Sequence, residues 1–321
     1  MREEYEEISP EGFLATSLFF ARLPAGPLDD PRVLNESITR PTPSLSMLGH
    51  GIMQLVYGIA KQAVLSQQLL LLAKTLYRLP IGQISMLSAW ISAVSIALGF
   101  YFMISGFSDI ALGIGKIFSL PLPKITYYPL HSPSIRDYLY RFNLPAEHAF
   151  GRMLFGEHDR ENNVTNSYIL SMILPFVIGF WLLPSLNMLY WACYMSILVA
   201  IDYLLLRKIP ARLSPPIRIA TTLVTLPSFL VIPDGTLYYK AELLKAMFGI
   251  GKPLLFNDAI LYILVTNAAL LFLSAIVAIS IIDTLSRITR QQFPTLWWIL
   301  SFVASSAILI VTTSFLLWNG R

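Results

Sequence analysis

Apolar runs of about twenty residues, set apart by short clusters of charge, constrain this chain more than any other feature. A bilayer's hydrocarbon core is about 30 Å thick, and a helix rising 1.5 Å per residue needs about 20 mostly apolar residues to cross it. Leu87 to Ile104, Tyr168 to Leu183, Leu186 to Leu206, Ile217 to Ile232, Ala259 to Ile282 and Leu296 to Leu317 meet or approach that length. Strands of a membrane barrel would alternate apolar and polar positions, which these runs do not. A water-soluble alternative fails on surface: 55% of the 321 residues are hydrophobic and 13% charged, against about a quarter charged in soluble domains. The expected fold class is therefore all-α, a polytopic integral membrane protein with about 7–9 membrane-embedded helices.

Between the runs the chain changes character. Residues 1–45 hold a short semi-apolar piece, Gly12 to Arg22, then Leu-Pro-Ala-Gly-Pro and a polar stretch, too broken to span and expected to lie at the interface. Residues 46–321 form the membrane-helical domain, its first part, 46 to 115, reading as helical throughout. Lys61, Gln62, Gln67 and Lys74 interrupt the run from Met47 to Tyr77, which suggests an embedded amphipathic helix or a broken pair. Pro121, Pro123 and Pro129 push their neighbours out of helical geometry and open an amphipathic or re-entrant part over 117–166. Within it Arg136, Asp137, Arg141, Glu147, His148 and Arg152 alternate with aromatic and apolar residues, as on a helix lying at the headgroups. The segment Asp234 to Gly251 reads as an extramembrane helix.

Composition excludes several functions. The net charge is +4, but Lys and Arg flanking apolar spans report topology first, so no nucleic acid partner is expected. The single Cys193 permits no intrachain disulfide. The start, Met-Arg-Glu-Glu-Tyr-Glu-Glu, lacks the basic and apolar regions of a cleavable signal. His50, His131, His148 and His158 never fall at metal-ligand spacing, so neither a metal nor another cofactor is expected. Gly113-Ile-Gly115 lacks the third glycine of a dinucleotide loop and suits close helix packing. The triplets at Asn35 and Asn163 carry no weight. Asp109 is a carboxylate at the end of an apolar run, a place where burial demands a partner, with Lys116 nearby. Asp202 and Asp283, each followed by an arginine, read as interfacial.

Several segments, in order, resemble the membrane-bound O-acyltransferases (MBOAT), specifically the alginate O-acetyltransferase branch. They are Ser17-Leu-Phe-Phe-Ala-Arg-Leu-Pro-Ala-Gly-Pro27, Gly58-Ile-Ala-Lys-Gln62, Ser105-Gly-Phe-Ser-Asp-Ile-Ala-Leu-Gly-Ile-Gly-Lys-Ile-Phe118, Tyr128-Pro-Leu-His-Ser-Pro-Ser-Ile135 and Lys245-Ala-Met-Phe-Gly249. The resemblance implies a bacterial inner (plasma) membrane and a chain that starts in mid-family, without the first helices.

The family's chemistry rests on two histidines, one in a Trp-Arg-Arg-Trp-His segment and one in Trp-His-Gly, where imidazole takes the proton of an attacking hydroxyl. The corresponding segments here are Tyr138-Leu-Tyr-Arg-Phe-Asn-Leu144 and Gly179-Phe-Trp-Leu-Leu-Pro-Ser-Leu-Asn-Met-Leu-Tyr-Trp191. By the resemblance Asn143 and Leu182 occupy the histidine positions, Asn187 and Trp191 anchor the second segment, and Met103 replaces an aspartate ahead of Asp109. Leucine moves no proton, so no catalytic residue is expected at these family positions. The function implied is a catalytically degenerate scaffold, a structural or accessory subunit lying in the lipid bilayer against another integral membrane protein subunit. Two alternatives stand beside it. One is an active acyltransferase moving an acetyl or acyl group to a polysaccharide or lipid hydroxyl, with His148 or His131 as displaced base. The other is a transporter or lipid-handling protein, suggested by Asp109 and the proline-broken stretch.

Overall fold

In the computed structural model the described residues are 44–120, 122–162, 164–206, 214–251, 253–279, 288–289 and 291–319. The segment 1–45 lies almost wholly outside them, as do Asn163, Asp283, Arg287 and the side chain of His158. No strand occurs among the described residues, in keeping with the all-α class read from the sequence. The helices are α1 (Leu45–Leu76), α2 (Met86–Ile117), α3 (Ile135–Phe142), α4 (Leu144–Asn162) and α5 (Val164–Leu182). After them come α6 (Leu186–Leu204), α7 (Ser214–Phe229), α8 (Leu237–Met247), α9 (Asp258–Thr266), α10 (Ala268–Ala278) and α11 (Pro294–Asn319).

Five of these, α1, α2, α5, α6 and α11, are long and apolar enough to cross a membrane, or six if the bent pair α9 and α10 counts as one span. That is fewer than the 7–9 expected, for local reasons. The run Ile217 to Ile232 becomes a helix of 16 residues that ends just past Pro227. The run Ala259 to Ile282 breaks at Asn267, bending by 58°, where the Asn267 side chain donates to the Ile263 carbonyl. The amphipathic stretch 134 to 156 divides at Asn143 and is interrupted again at Gly156, whose φ of 73° leaves the helical region.

Residues 46 to 115 are not helical throughout. The chain turns between Tyr77 and Ser85, through a short 3₁₀ turn at Ile81–Gln83, so that α1 and α2 run antiparallel. Ser85 starts α2 with a reciprocal cap: its hydroxyl accepts from the Ser88 N–H, and the Ser88 hydroxyl accepts from the Ser85 N–H. The next orphan donors, Met86 and Leu87 N–H, reach the carbonyls of Leu254 and Leu255.

Lipid is as apolar as leucine, so helices in a bilayer associate by close packing and hydrogen bonds rather than by excluding water. The α1–α2 contact shows how. A Cβ placed on Gly58 would lie 2.6 Å from the Ile110 nitrogen and 2.8 Å from the Gly106 oxygen, and one on Gly113 would lie 2.7 Å from the Leu55 nitrogen. Gly51 meets the Gly113 oxygen in the same way, at 2.7 Å. Glycine alone lets the two backbones come this close. Gly113, read as a packing glycine, is one, and Gly115 packs beneath Leu122.

Far from being a broken pair, α1 is continuous and widens into a π-helical turn over Lys61–Ser66. In a π turn hydrogen bonds run from i to i+5, which brings Lys61 and Ser66 to the same side. The Ser66 hydroxyl donates to the Gly99 carbonyl at 2.9 Å and the Gln62 amide to the Met103 carbonyl at 2.7 Å. Of the polar residues that interrupt the run, Lys61 and Gln62 fasten α1 to α2, whereas Gln67 and Lys74 are exposed. The remaining core joins α3, α5, α6, α7 and α8 to α2 around Phe142, Leu174, Trp191, Phe229 and Met247.

Helix propensity alone favours alanine over glycine by about 1 kcal/mol. At the α1–α2 contact the clash wins, and Gly58→Ala is expected to destabilise the protein by about 1–3 kcal/mol. Gly82, which faces open space, serves as the control; Gly82→Ala is expected to stay within about 0.5 kcal/mol of the parent in thermal unfolding in detergent.

Candidate functional site

The positions singled out by the resemblance fall in three places. Met103 and Asp109 lie on α2 at its contact with α1. The Asp109 carboxylate accepts from the Lys61 ammonium at 2.5 Å and from the Gln54 amide at 3.1 Å. Lys61 also donates to the Ser105 hydroxyl at 3.0 Å, and Lys116 donates to the Gln54 oxygen at 2.5 Å. Asp109 thus has the partner its burial demands, but that partner is Lys61 on the facing helix, with Lys116 one step removed. Lys61 is sixteen residues along a 32-residue helix, close to its middle. An unpaired charge there would be costly. Met103 presents its carbonyl to Gln62 and packs its side chain on the core.

Asn143 stands at the joint of α3 and α4 and is buried. Its side-chain oxygen accepts from the Ala146 N–H at 3.2 Å, and its carbonyl accepts from the Glu147 N–H. This is helix capping, a task asparagine performs well and histidine does not. A buried carboxylate supports the other end of α3. Asp202, read from the sequence as interfacial, is 1% exposed and accepts from the Arg136 N–H at 3.1 Å, at the start of α3. The positive end of a helix dipole suits it.

Leu182 and Asn187 flank the α5–α6 turn. Leu182 packs against the main core. The Asn187 amide donates to Asp234 at 3.1 Å, and its oxygen accepts from Lys240 at 2.5 Å. Lys240, on the helix expected outside the membrane, is nonetheless 3% exposed and donates also to the Val231 carbonyl at 2.8 Å. Among the described residues no hydrogen bond joins these three places into one site.

Beside the α5–α6 turn lies a cavity of about 620 Å³. Leu183, Pro184, Ser185 and Asp234 line one side; Lys74, Tyr77 and Arg78 line the cavity from the last turn of α1 and just beyond, and Ile96 and Phe100 face it from α2. Neither candidate histidine reaches it. His131 stacks on Tyr128 with ring centres 5.9 Å apart. His148 is exposed, 3.5 Å from the Tyr140 hydroxyl. His50, on α1, sits under Trp297 and Trp298 of α11. No group of three or more metal-ligating side chains occurs among the described residues.

From the sequence Lys61 reads only as an interruption of its run and Asp202 as interfacial, and neither the burial of Lys240 nor the cavity is foretold. One signal was available. The segment Gly58 to Gln62 packs on the segment that begins at Ser105, so two of the family-like motifs are the two sides of one helix contact. The motif Lys245 to Gly249 likewise closes α8, where the Met247 carbonyl accepts from the Trp90 indole at 3.0 Å.

Burial holds the Lys240 ammonium below the usual lysine range, against the attraction of Asp234. In the window between that lowered value and 10.5 the unfolded chain binds more protons than the folded one, so stability at this site rises with pH. As the pH rises toward 10.5 the parent is expected to gain thermal stability relative to Lys240→Met. Parallel profiles would show that Lys240 carries no such cost.

No family model matches the chain. Among curated proteins it is similar to a probable alginate O-acetylase AlgI of Pseudomonas putida, 23% identical over 244 residues, 74% of this chain and 49% of that protein. It is 24% identical over 251 residues to the probable alginate O-acetylase AlgI of Pseudomonas fluorescens, 75% of this chain and 48% of that protein. A peptidoglycan O-acetyltransferase of Helicobacter pylori is 25% identical over 122 residues, 37% of this chain and 23% of that protein. The chain spans about half the length of the alginate O-acetylases it matches. Similarity in one order along the chain, together with the all-helical architecture and its lipid-length apolar helices, gives one conclusion: the chain is an MBOAT-like integral membrane protein, a relative of the alginate O-acetylases.

Proposed function

We propose that the chain is a catalytically degenerate MBOAT-like protein of a bacterial inner membrane, acting as a structural or accessory subunit against another integral membrane protein. One observation carries the reading. The cavity at the α5–α6 turn adjoins the segment that resembles Trp-His-Gly, and its described lining contains no imidazole. Acyl transfer to a hydroxyl needs a base that accepts a proton near neutral pH. Asp234, the carboxylate in the lining, accepts instead from Asn187. Asn143, at the other histidine position, caps α4. The apolar face of α11, largely uncovered by the rest of the fold, supports a partner subunit or lipid beside it.

The names of the relatives favour a second reading, an active O-acetyltransferase with a displaced base. Purified protein given a labelled acetyl donor, with alginate or peptidoglycan as acceptor, separates the two. No transfer above a protein-free control is expected. Transfer that disappears in His148→Ala would overturn the degenerate reading and establish the active one. Purification as a lone monomer from its native membrane, with no second subunit, would count against the accessory role.

A further inference from the structure

The cavity changes character with depth. At its exposed side stand Lys74 and Arg78, four residues apart, one in the last turn of α1 and one just past its end. Deeper it is walled by Leu70, Ala73, Ile96 and Phe100. Gly99 lies level with Leu70, a Cβ on it falling 3.5 Å from the Leu70 nitrogen, so Phe100 stands about one helical turn, roughly 6 Å, below Lys74. A polar mouth over an apolar shaft fits an amphiphile rather than a sugar or a free ion. The volume of about 620 Å³ falls within the range of ligand pockets, about 300–1,000 Å³.

Charge decides the headgroup. The other polar groups at the mouth are engaged within the fold: the Tyr77 hydroxyl donates to the Leu230 carbonyl, the Ser185 hydroxyl accepts from the Met188 N–H, and Asp234 accepts from Asn187. Among the described residues Lys74 and Arg78 make no side-chain hydrogen bond or ion pair. Two unpaired cations over an apolar shaft attract a negative headgroup.

We propose that this cavity holds one anionic phospholipid, its phosphate between Lys74 and Arg78 and one chain running toward Phe100. The proposal rests on the preceding reading in one respect only, that the lipid is held and not converted.

Native mass spectrometry of the protein in a neutral maltoside detergent tests it, with phosphatidylglycerol, phosphatidylcholine or inorganic phosphate added separately. One phosphatidylglycerol per chain is expected to survive conditions that strip phosphatidylcholine. Replacing both cations, Lys74→Gln with Arg78→Gln, is expected to weaken retention about tenfold or more. Leu183→Trp keeps both cations but narrows the cavity from an exposed position, and it is expected to lose the lipid as well. Equal retention of the two lipids, retention unchanged in both variants, or displacement by inorganic phosphate would each overturn the proposal. The mass of the retained lipid after exposure to an acetyl donor reads the other question: a gain of one acetyl group would sink the degenerate reading and leave binding intact.

Discussion

The close approach of α1 and α2 is the constraint on which the rest of this fold depends. A bilayer gives apolar helices no reason to prefer one another over lipid, so specificity has to come from contacts that lipid cannot make. Glycines at 51, 58, 106 and 113 bring the backbones together. The same approach lets Lys61 reach Asp109 and Ser105, and Gln62 and Ser66 reach carbonyls of α2. All three donors, Lys61, Gln62 and Ser66, lie within the π turn Lys61–Ser66. Alpha2 then carries the remaining helices, through Phe100 and Ile104 in the core and through Trp90, which holds the end of α8.

Three polar residues at the family-like positions hydrogen-bond where elements meet. Asp109 pairs across the first helix contact, Asn143 caps α4, and Asn187 holds Lys240 and Asp234 together beside the α5–α6 turn. A scaffold can retain a family's frame on such contacts after the groups that would move protons are gone. The resemblance to O-acetyltransferases and the proposed loss of their chemistry are compatible for that reason.

The spans were legible because length and apolarity are local properties, and α5, α6 and α11 fall where the runs do. Their number was less legible, since a run broken by Pro227 or bent at Asn267 looks the same in composition as a straight one. The need of Asp109 for a partner could be read from the cost of burying a carboxylate, but not its identity. Lys116 is near in sequence and Lys61 is near in space. Lys240 and Asp202 were hidden for the same reason: their burial comes from elements distant in the chain. The cavity has no sequence signature, being the gap left between the end of α1 and two turns.

If the polar groups inside these helices serve the structure, then Lys61 and Asp109 should be removable together though not singly. A double-mutant cycle with Lys61→Met and Asp109→Leu, followed by unfolding in detergent, measures this directly. Each single change should cost on the order of 2–4 kcal/mol, by leaving its partner's charge unpaired among apolar helices, and the double change should recover most of that loss. Costs that simply add in the double variant, or single variants as stable as the parent, would contradict a structural role for the pair.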